Sequence, residues 1–159
     1  MTDRFLLVDT NIWHFGYIVP TKDIWNSIHR IASSFLSEVI TDSSVTIFVT
    51  IFQVAEIMEV LRKHAFPVIQ REEVYKGFKT EKFRVIDVKS TDVDVCFKKS
   101  LASGIHIYDY LVAIPLKGLI NEIFSADDHF QHEDFQKIAK VNNPLSPWII
   151  REGRIPWEI

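Results

Sequence analysis

The sequence carries almost no thiol chemistry. Cys96 is the only cysteine. That excludes an internal disulfide and a cysteine-built zinc site, and it makes the cytoplasm the expected compartment. There is no excess of positive charge either. The formal net charge is −3, so no global field draws in nucleic acid, and a polyanion would need a local basic patch or a bound cation. Long apolar runs are missing. The first stops at Asp9, too short for a signal peptide or a transmembrane helix, and no membrane association is expected. No internal repeat or low-complexity tract is visible.

What is present is a globular composition. A length of 159 residues fits one domain. Hydrophobic residues make up 47% and charged residues 25%, the balance of a folded chain. Aromatics, at 13%, point to a well-filled core or an apolar contact surface.

Apolar spacing divides the chain into alternating strands and helices. Strands are expected at 5–8, 45–49, 83–88, 122–126 and 135–141, and helices at 23–39, 52–64, 71–79, 93–103 and 107–116. Pro67 breaks the second helix, and Gly104 caps the fourth. Pro115 should kink or end the fifth, which is apolar nearly all round and so buried. This alternation predicts an α/β fold with a mainly parallel sheet. From Asn142 the two prolines of "NNPLSPW" exclude long regular structure. Residues 1–141 therefore read as the domain, and 142–159 as a C-terminal extension packing on the domain or on a partner.

Four carboxylates stand in apolar settings. Asp9 ends the first strand, where it either makes a turn with Thr10 and Asn11 or holds a cation. Glu56 lies among Val54, Ala55, Ile57 and Met58, and has Val60 four residues on, so no helix-surface ion pair explains it. Its neighbour Glu59 has Lys63 at that spacing. Asp109 sits in the first turn of an apolar helix, where the helix dipole also favours an acid. Asp127 follows the strand at 122–126, beside Asp128. Adjacent residues point apart, so one of the two reaches a shared site, with Asp128 the alternative ligand.

Singly, each acid has an ordinary explanation. Together they converge. Residues that follow parallel strands collect at the carboxyl edge of the sheet, where ligands bind. Carboxylates gathered there repel, and some stay protonated, unless a hard divalent cation such as Mg²⁺ or Mn²⁺ joins them. Such an ion lowers the pKa of bound water and orients it for in-line attack on phosphorus.

The motifs resemble the PIN-domain family of metal-dependent ribonucleases. "VDTNI" (8–12) is similar to its opening strand and first acid. "VAEIMEVL" (54–61) resembles its glutamate helix, and "GIHIYDYLVA" (104–113) its glycine-then-aspartate helix. "IFSADDHF" (123–130) resembles its T-x-D strand end, with Ser125 in place of the threonine. The resemblance implies a three-layer α/β/α sandwich and an Mg²⁺- or Mn²⁺-dependent endoribonuclease. Asp9, Glu56, Asp109 and Asp127 would be its catalytic, metal-holding acids, with Thr10, Asn11 and Ser125 orienting them. It further implies a VapC-like toxin that cleaves RNA, forms a homodimer and is blocked by a small antitoxin protein. Asp128, Pro115 and the tail after Asn142 depart from the family pattern.

RNA would need contacts outside the acids. Arg62, Lys63, Arg71, Lys76, Lys79, Lys82 and Arg84 are the cationic candidates, with solvated helix faces as the ordinary reading. Trp13, Phe15 and Tyr17 either stack on bases or fill the core. His129 and His132, beside Asp128, Glu133 and Asp134, form a loose transition-metal pattern or, as preferred here, a solvated loop. Two other functions compete. One is a non-catalytic PIN-like module that binds RNA or a protein partner through its aromatic tail. The other is a phosphoryl-transfer enzyme with Asp9 as nucleophile, disfavoured because the second acid it needs is replaced by Asn11.

Overall fold

In the computed structural model, which describes residues 2–151 and Arg154, the alternating pattern builds one parallel sheet. Its strands are β1 (Arg4–Val8), β2 (Val45–Thr50), β3 (Phe83–Ile86), β4 (Glu122–Phe124) and β5 (Lys140–Asn142), in the order β3-β2-β1-β4-β5. β1 occupies the centre, its Leu6 facing Ile47 of β2 and its Val8 facing Phe124 of β4. Successive β1 side chains feed different cores, as strand geometry requires. Leu6 and Val8 join one apolar cluster and Leu7 the other. A strand buried on both faces reads as an unbroken apolar run, which is why "FLLV" shows no alternation.

Helices cover both faces. The first cluster takes in α1 (Thr10–Tyr17), α2 (Asn26–Thr41) and α3 (Ile51–Lys63), through residues such as Phe15, Leu36 and Ile57. The second takes in α5 (Ser90–Ser103), α6 (Ile107–Ala113) and α7 (Glu133–Gln136), through Cys96, Tyr110 and Phe135. Between these groups in the chain, α4 (Val68–Gly77) contributes no buried residue. The result is the three-layer α/β/α sandwich expected from the sequence. No described helix is long and apolar enough to cross a membrane.

Several elements differ from the sequence expectation. α1 was not expected at all. Gly16 lets it lie against α2: a Cβ there would stand 2.4 Å from Leu36 Cδ1. The segment at 135–141 is not one strand. Phe135 belongs to α7, whose first turn is capped by the His132 side chain accepting from the Asp134 N–H, and only Lys140–Asn142 pairs with β4. The helix from Ile107 ends at Ala113. Pro115 follows inside a tight 3₁₀ turn, Ile114–Leu116, as its missing N–H demands. Gly104 closes α5 with φ +78°, the left-handed cap expected of it.

The strand after β4 also crosses the boundary expected at 141. Beyond it, Leu145 and Ile150 are buried in the first core. The Ile150 N–H donates to Ala126 O at 3.1 Å, and the Asp128 N–H to Ile150 O at 3.0 Å. The rest of the extension, 152–153 and 155–159, lies outside the described residues.

Candidate metal centre

In this strand order the connections reverse direction between β1 and β4, and a crevice opens at their carboxyl ends. Asp9 and Asp127 flank it. Asp9 follows Val8 directly, with its N–H held by Phe124 O at 2.8 Å. Asp127 lies just past β4. The third and fourth acids come from helices laid over the same edge. Thr50 ends β2 and caps α3 by accepting from the Gln53 N–H at 3.1 Å. The Gln53 amide then donates to Val8 O at 2.6 Å, and Trp13 Nε1 donates to the same oxygen at 3.0 Å. These bonds pin α3 and α1 to the end of β1 and bring Glu56 over the crevice. Asp109 enters from the first turn of α6, its N–H donating to His106 O at 3.2 Å.

The four acids line one cleft of about 220 Å³ together with Thr10, Asn11, His14, Val60 and Ile150. Asp9 is the most firmly held. Its Oδ1 accepts from the Thr10 N–H at 2.8 Å. Its Oδ2 accepts from Asn11 Nδ2 at 2.8 Å and from Ser125 Oγ at 2.7 Å. Asn11 Oδ1 accepts from the Ala126 N–H at 3.3 Å, and Ser125 Oγ from the Asp127 N–H at 3.0 Å. Asn11 and Ser125 thus tie the ends of β1 and β4 together. Asp9 also caps α1, so the turn and the cleft are one structure rather than alternatives. Thr10 faces Glu56 closely enough to temper that carboxylate's shift, yet its buried hydroxyl reaches no partner in hydrogen-bond geometry.

The electrostatics are those of an unrelieved acid cluster. Burial, then the charge of Asp109, lifts Asp9 well above the usual carboxylate range, against the opposing Ser125 hydrogen bond. Burial pushes Asp127 up to about 7, with Asp109 adding to it and the His129 N–H resisting it. Glu56 is raised mainly by burial and further by Asp109. A divalent cation would reverse this penalty. Buried carboxylate oxygens and an unpartnered hydroxyl form a donor set that fits such an ion.

One histidine outside the expected set, His14, lines the cleft, and a second, His129, touches two of its acids from beside the lining. His129 Nδ1 lies 2.9 Å from Asp109 Oδ2 and 3.7 Å from Asp127 Oδ1. The hydrogen bond to Asp109 raises its pKa. The preferred reading of this stretch as a solvated loop is therefore corrected. The i, i+3 pairing with His132 is not a site either, because His132 caps α7, and Asp134 is taken by Lys99 and Tyr110. The signal available in the sequence was the short distance from Asp127 to His129. His14, from α1, lies tilted against His64 at 4.5 Å between ring centroids. Burial, then His64, lowers its pKa to about 4. Asp128 starts the turn Asp128–Gln131 and is absent from the cleft lining.

The expected RNA contacts fare less well. Trp13 and Phe15 are fully buried in the core and unavailable for stacking. Arg62 pairs with Glu59 at 2.7 Å, in place of the Glu59–Lys63 pair expected from spacing. Lys76 pairs with Glu73, Lys82 donates to the Asp42 and Val45 carbonyls, and Lys79 lies over the Tyr75 ring. Arg151 and Arg154 were overlooked. They pair as an isolated bridge just past Ile150, which lines the cleft, and both are exposed.

No known family's sequence pattern matches the chain, and no curated protein matches it. Among solved structures, the fold is similar to a chain in the crystal structure of VapBC2 from Rickettsia felis bound to a DNA fragment from their promoter. The TM-score is 0.53 at 14% identity, covering 87% of this chain and 98% of that one. The fold so shared is a three-layer α/β/α sandwich, consistent with the PIN-like arrangement expected from the sequence. Within that fold, this chain carries a carboxylate cleft at the point where its strand order reverses.

Proposed function

We propose that the protein is an Mg²⁺- or Mn²⁺-dependent endoribonuclease, with a VapC-like toxin as the specific form. One observation carries this reading. Asp9, Glu56, Asp109 and Asp127, far apart in sequence, line a single cleft at the carboxyl edge of β1 and β4. A bound divalent cation would offset the charge of both acids and phosphodiester and activate water for attack on phosphorus. The chain's own residues do the rest. Asn11 and Ser125 fix the orientation of Asp9. Asp127 and Asp109 form the opposite wall, held by the His129 N–H and ring. Glu56, with its raised pKa, is suited to hold a proton of the attacking water. Arg151, next in the chain to the cleft-lining Ile150, and Arg154, bridged to it, are exposed and would supply phosphate contacts that an acidic cleft lacks.

The likeness to a chain of a VapBC2 complex supports a partnership with a small antitoxin protein. The α5 residues Val93, Phe97 and Leu101, exposed at i, i+4 and i+8, support a homodimer. The test is cleavage of RNA in Mg²⁺ or Mn²⁺ by wild type beside Asp9→Asn. Cleavage by the wild type alone is expected. Equal cleavage by both, or none by either, ends the nuclease reading and leaves the non-catalytic binding module.

A further inference from the structure

We propose that His129 is a nitrogen donor to the cation held in this cleft, and that its imidazole tilts the cleft towards Mn²⁺ over Mg²⁺. The inference rests on the metal-binding half of the reading above and is independent of RNA cleavage. One donor atom each from Asp109, Asp127 and His129 can be chosen so that all lie within 4.8 Å of one another. The His129 Nδ1 distances to the two carboxylates are 2.9 and 3.7 Å. Adjacent donors around an octahedral ion with bonds of about 2.1 Å stand about 3.0 Å apart. One ion could meet all three once the proton shared by His129 Nδ1 and Asp109 is released to solvent and the side chains draw in around it.

The backbone at His129 is held in place. The His129 N–H donates to Asp127 Oδ1 at 3.0 Å, and the next residue, Phe130, is fully buried. A second observation points independently to a missing ligand. Thr10 is only 7% exposed, lines the same cleft, and its hydroxyl faces the Glu56 carboxylate without a hydrogen bond of good geometry. A buried hydroxyl in that state is rare unless water, an ion or a ligand completes it. Carboxylates alone serve Mg²⁺ and Mn²⁺ alike, whereas imidazole suits transition ions, and Mg²⁺ prefers oxygen. The competing role for His129 is a brace that only hydrogen-bonds Asp109.

Pulsed electron paramagnetic resonance of the full chain with one equivalent of Mn²⁺ separates the two. The wild type should show ¹⁴N coupling from a directly bound imidazole, and His129→Ala should lose it. By calorimetry, His129→Ala should weaken Mn²⁺ by about tenfold or more and Mg²⁺ by less than about threefold. His129→Gln keeps a hydrogen-bonding side chain and guards against loss of folding, checked by circular dichroism. Absence of coupling in the wild type, coupling that persists in a folded variant, or equal weakening of both ions would overturn the proposal. If neither variant folds, His14→Ala decides it: His14 also lines the cleft, so coupling retained in that variant assigns the nitrogen to His129, and coupling lost overturns the proposal. A wild type that binds neither ion removes this proposal and the metal-dependent nuclease reading together. Nitrogen coupling without RNA cleavage removes only the nuclease reading.

Discussion

Asp127 and Asp134 lie close in sequence and face opposite situations. Asp134, on α7, is half-buried against α5 and α6. Burial raises its pKa, but Lys99 at 3.0 Å and the Tyr110 hydroxyl at 2.8 Å outweigh that and leave it lowered. Asp127 is buried among acids, with only the His129 N–H and ring to oppose them, and is pushed up to about 7. The first acid has its counter-charge built into the chain and serves as a brace. The second is kept from ionising cheaply, and that cost is useful only if something from outside supplies the charge.

The largest test of this contrast is activity. Asp9→Asn keeps the shape of the cleft and removes one charge. RNA cleavage should fall by on the order of 10²–10³, while Lys99→Ala should leave turnover nearly unchanged and cost only about 1 kcal/mol of stability. Comparable losses from both in a cleavage assay would erase the distinction between site and brace.

Stability against pH gives the next largest effect, with opposite signs for the two acids. A carboxylate with a raised folded pKa costs nothing below its unfolded pKa and progressively more as pH rises through the folded value. Without metal at pH 8, Asp127→Asn should therefore be more stable than wild type, by up to about 4 kcal/mol for a shift from near 4 to about 7. Near pH 4 the two should converge. Asp134, with its lowered pKa, contributes stability above the unfolded value that is lost on acidification. Asp134→Asn should lose about 1 kcal/mol at pH 8. Denaturant melts at both pH values decide it.

Much of this contrast was legible in the sequence, because the acids that matter sit at strand ends and in apolar helices. Asp9 and Asp127 follow apolar runs, and Glu56 lacks the i+4 cation that Glu59 and its neighbours offer. What was not legible depended on contacts distant in sequence. α1 has no exposed face, since Thr10 to Gly16 are all buried, and its few polar residues turn into the cleft rather than to solvent, so no solvent-facing stripe marks it in the sequence. Phe135 belongs to α7 and Val141 to β5, with Ile138 between them, so the apolar residues at 135–141 span two elements that feed the same core and read as one. His129 looked solvated because nothing local reveals that α6 brings Asp109 beside it. The basic residues looked available because their partners, such as the Asp42 and Val45 carbonyls on Lys82, lie far along the chain.

A smaller effect concerns the cation itself. Mn²⁺ at about 100 times its dissociation constant should stabilise the wild type by about 2.7 kcal/mol. The gain should shrink sharply in Asp127→Asn and persist in Asp134→Asn. Thermal melts with and without the ion provide the measurement, and equal gains in both variants would place the ion elsewhere.

The smallest effect tests the rim rather than the cleft. Arg151 and Arg154 lie beside Ile150, outside the acid cluster, so neither the pH profile nor ion binding should depend on them. Their contribution is to neutralise phosphates, and on single-stranded RNA each contact adds about 0.7 to the slope of log affinity against log salt. Arg151→Ala with Arg154→Ala should lower that slope by about 1.4, measured with RNA bound to the inactive Asp9→Asn background. An unchanged slope would move the RNA path to another face and leave the acid cleft to be reached without this pair.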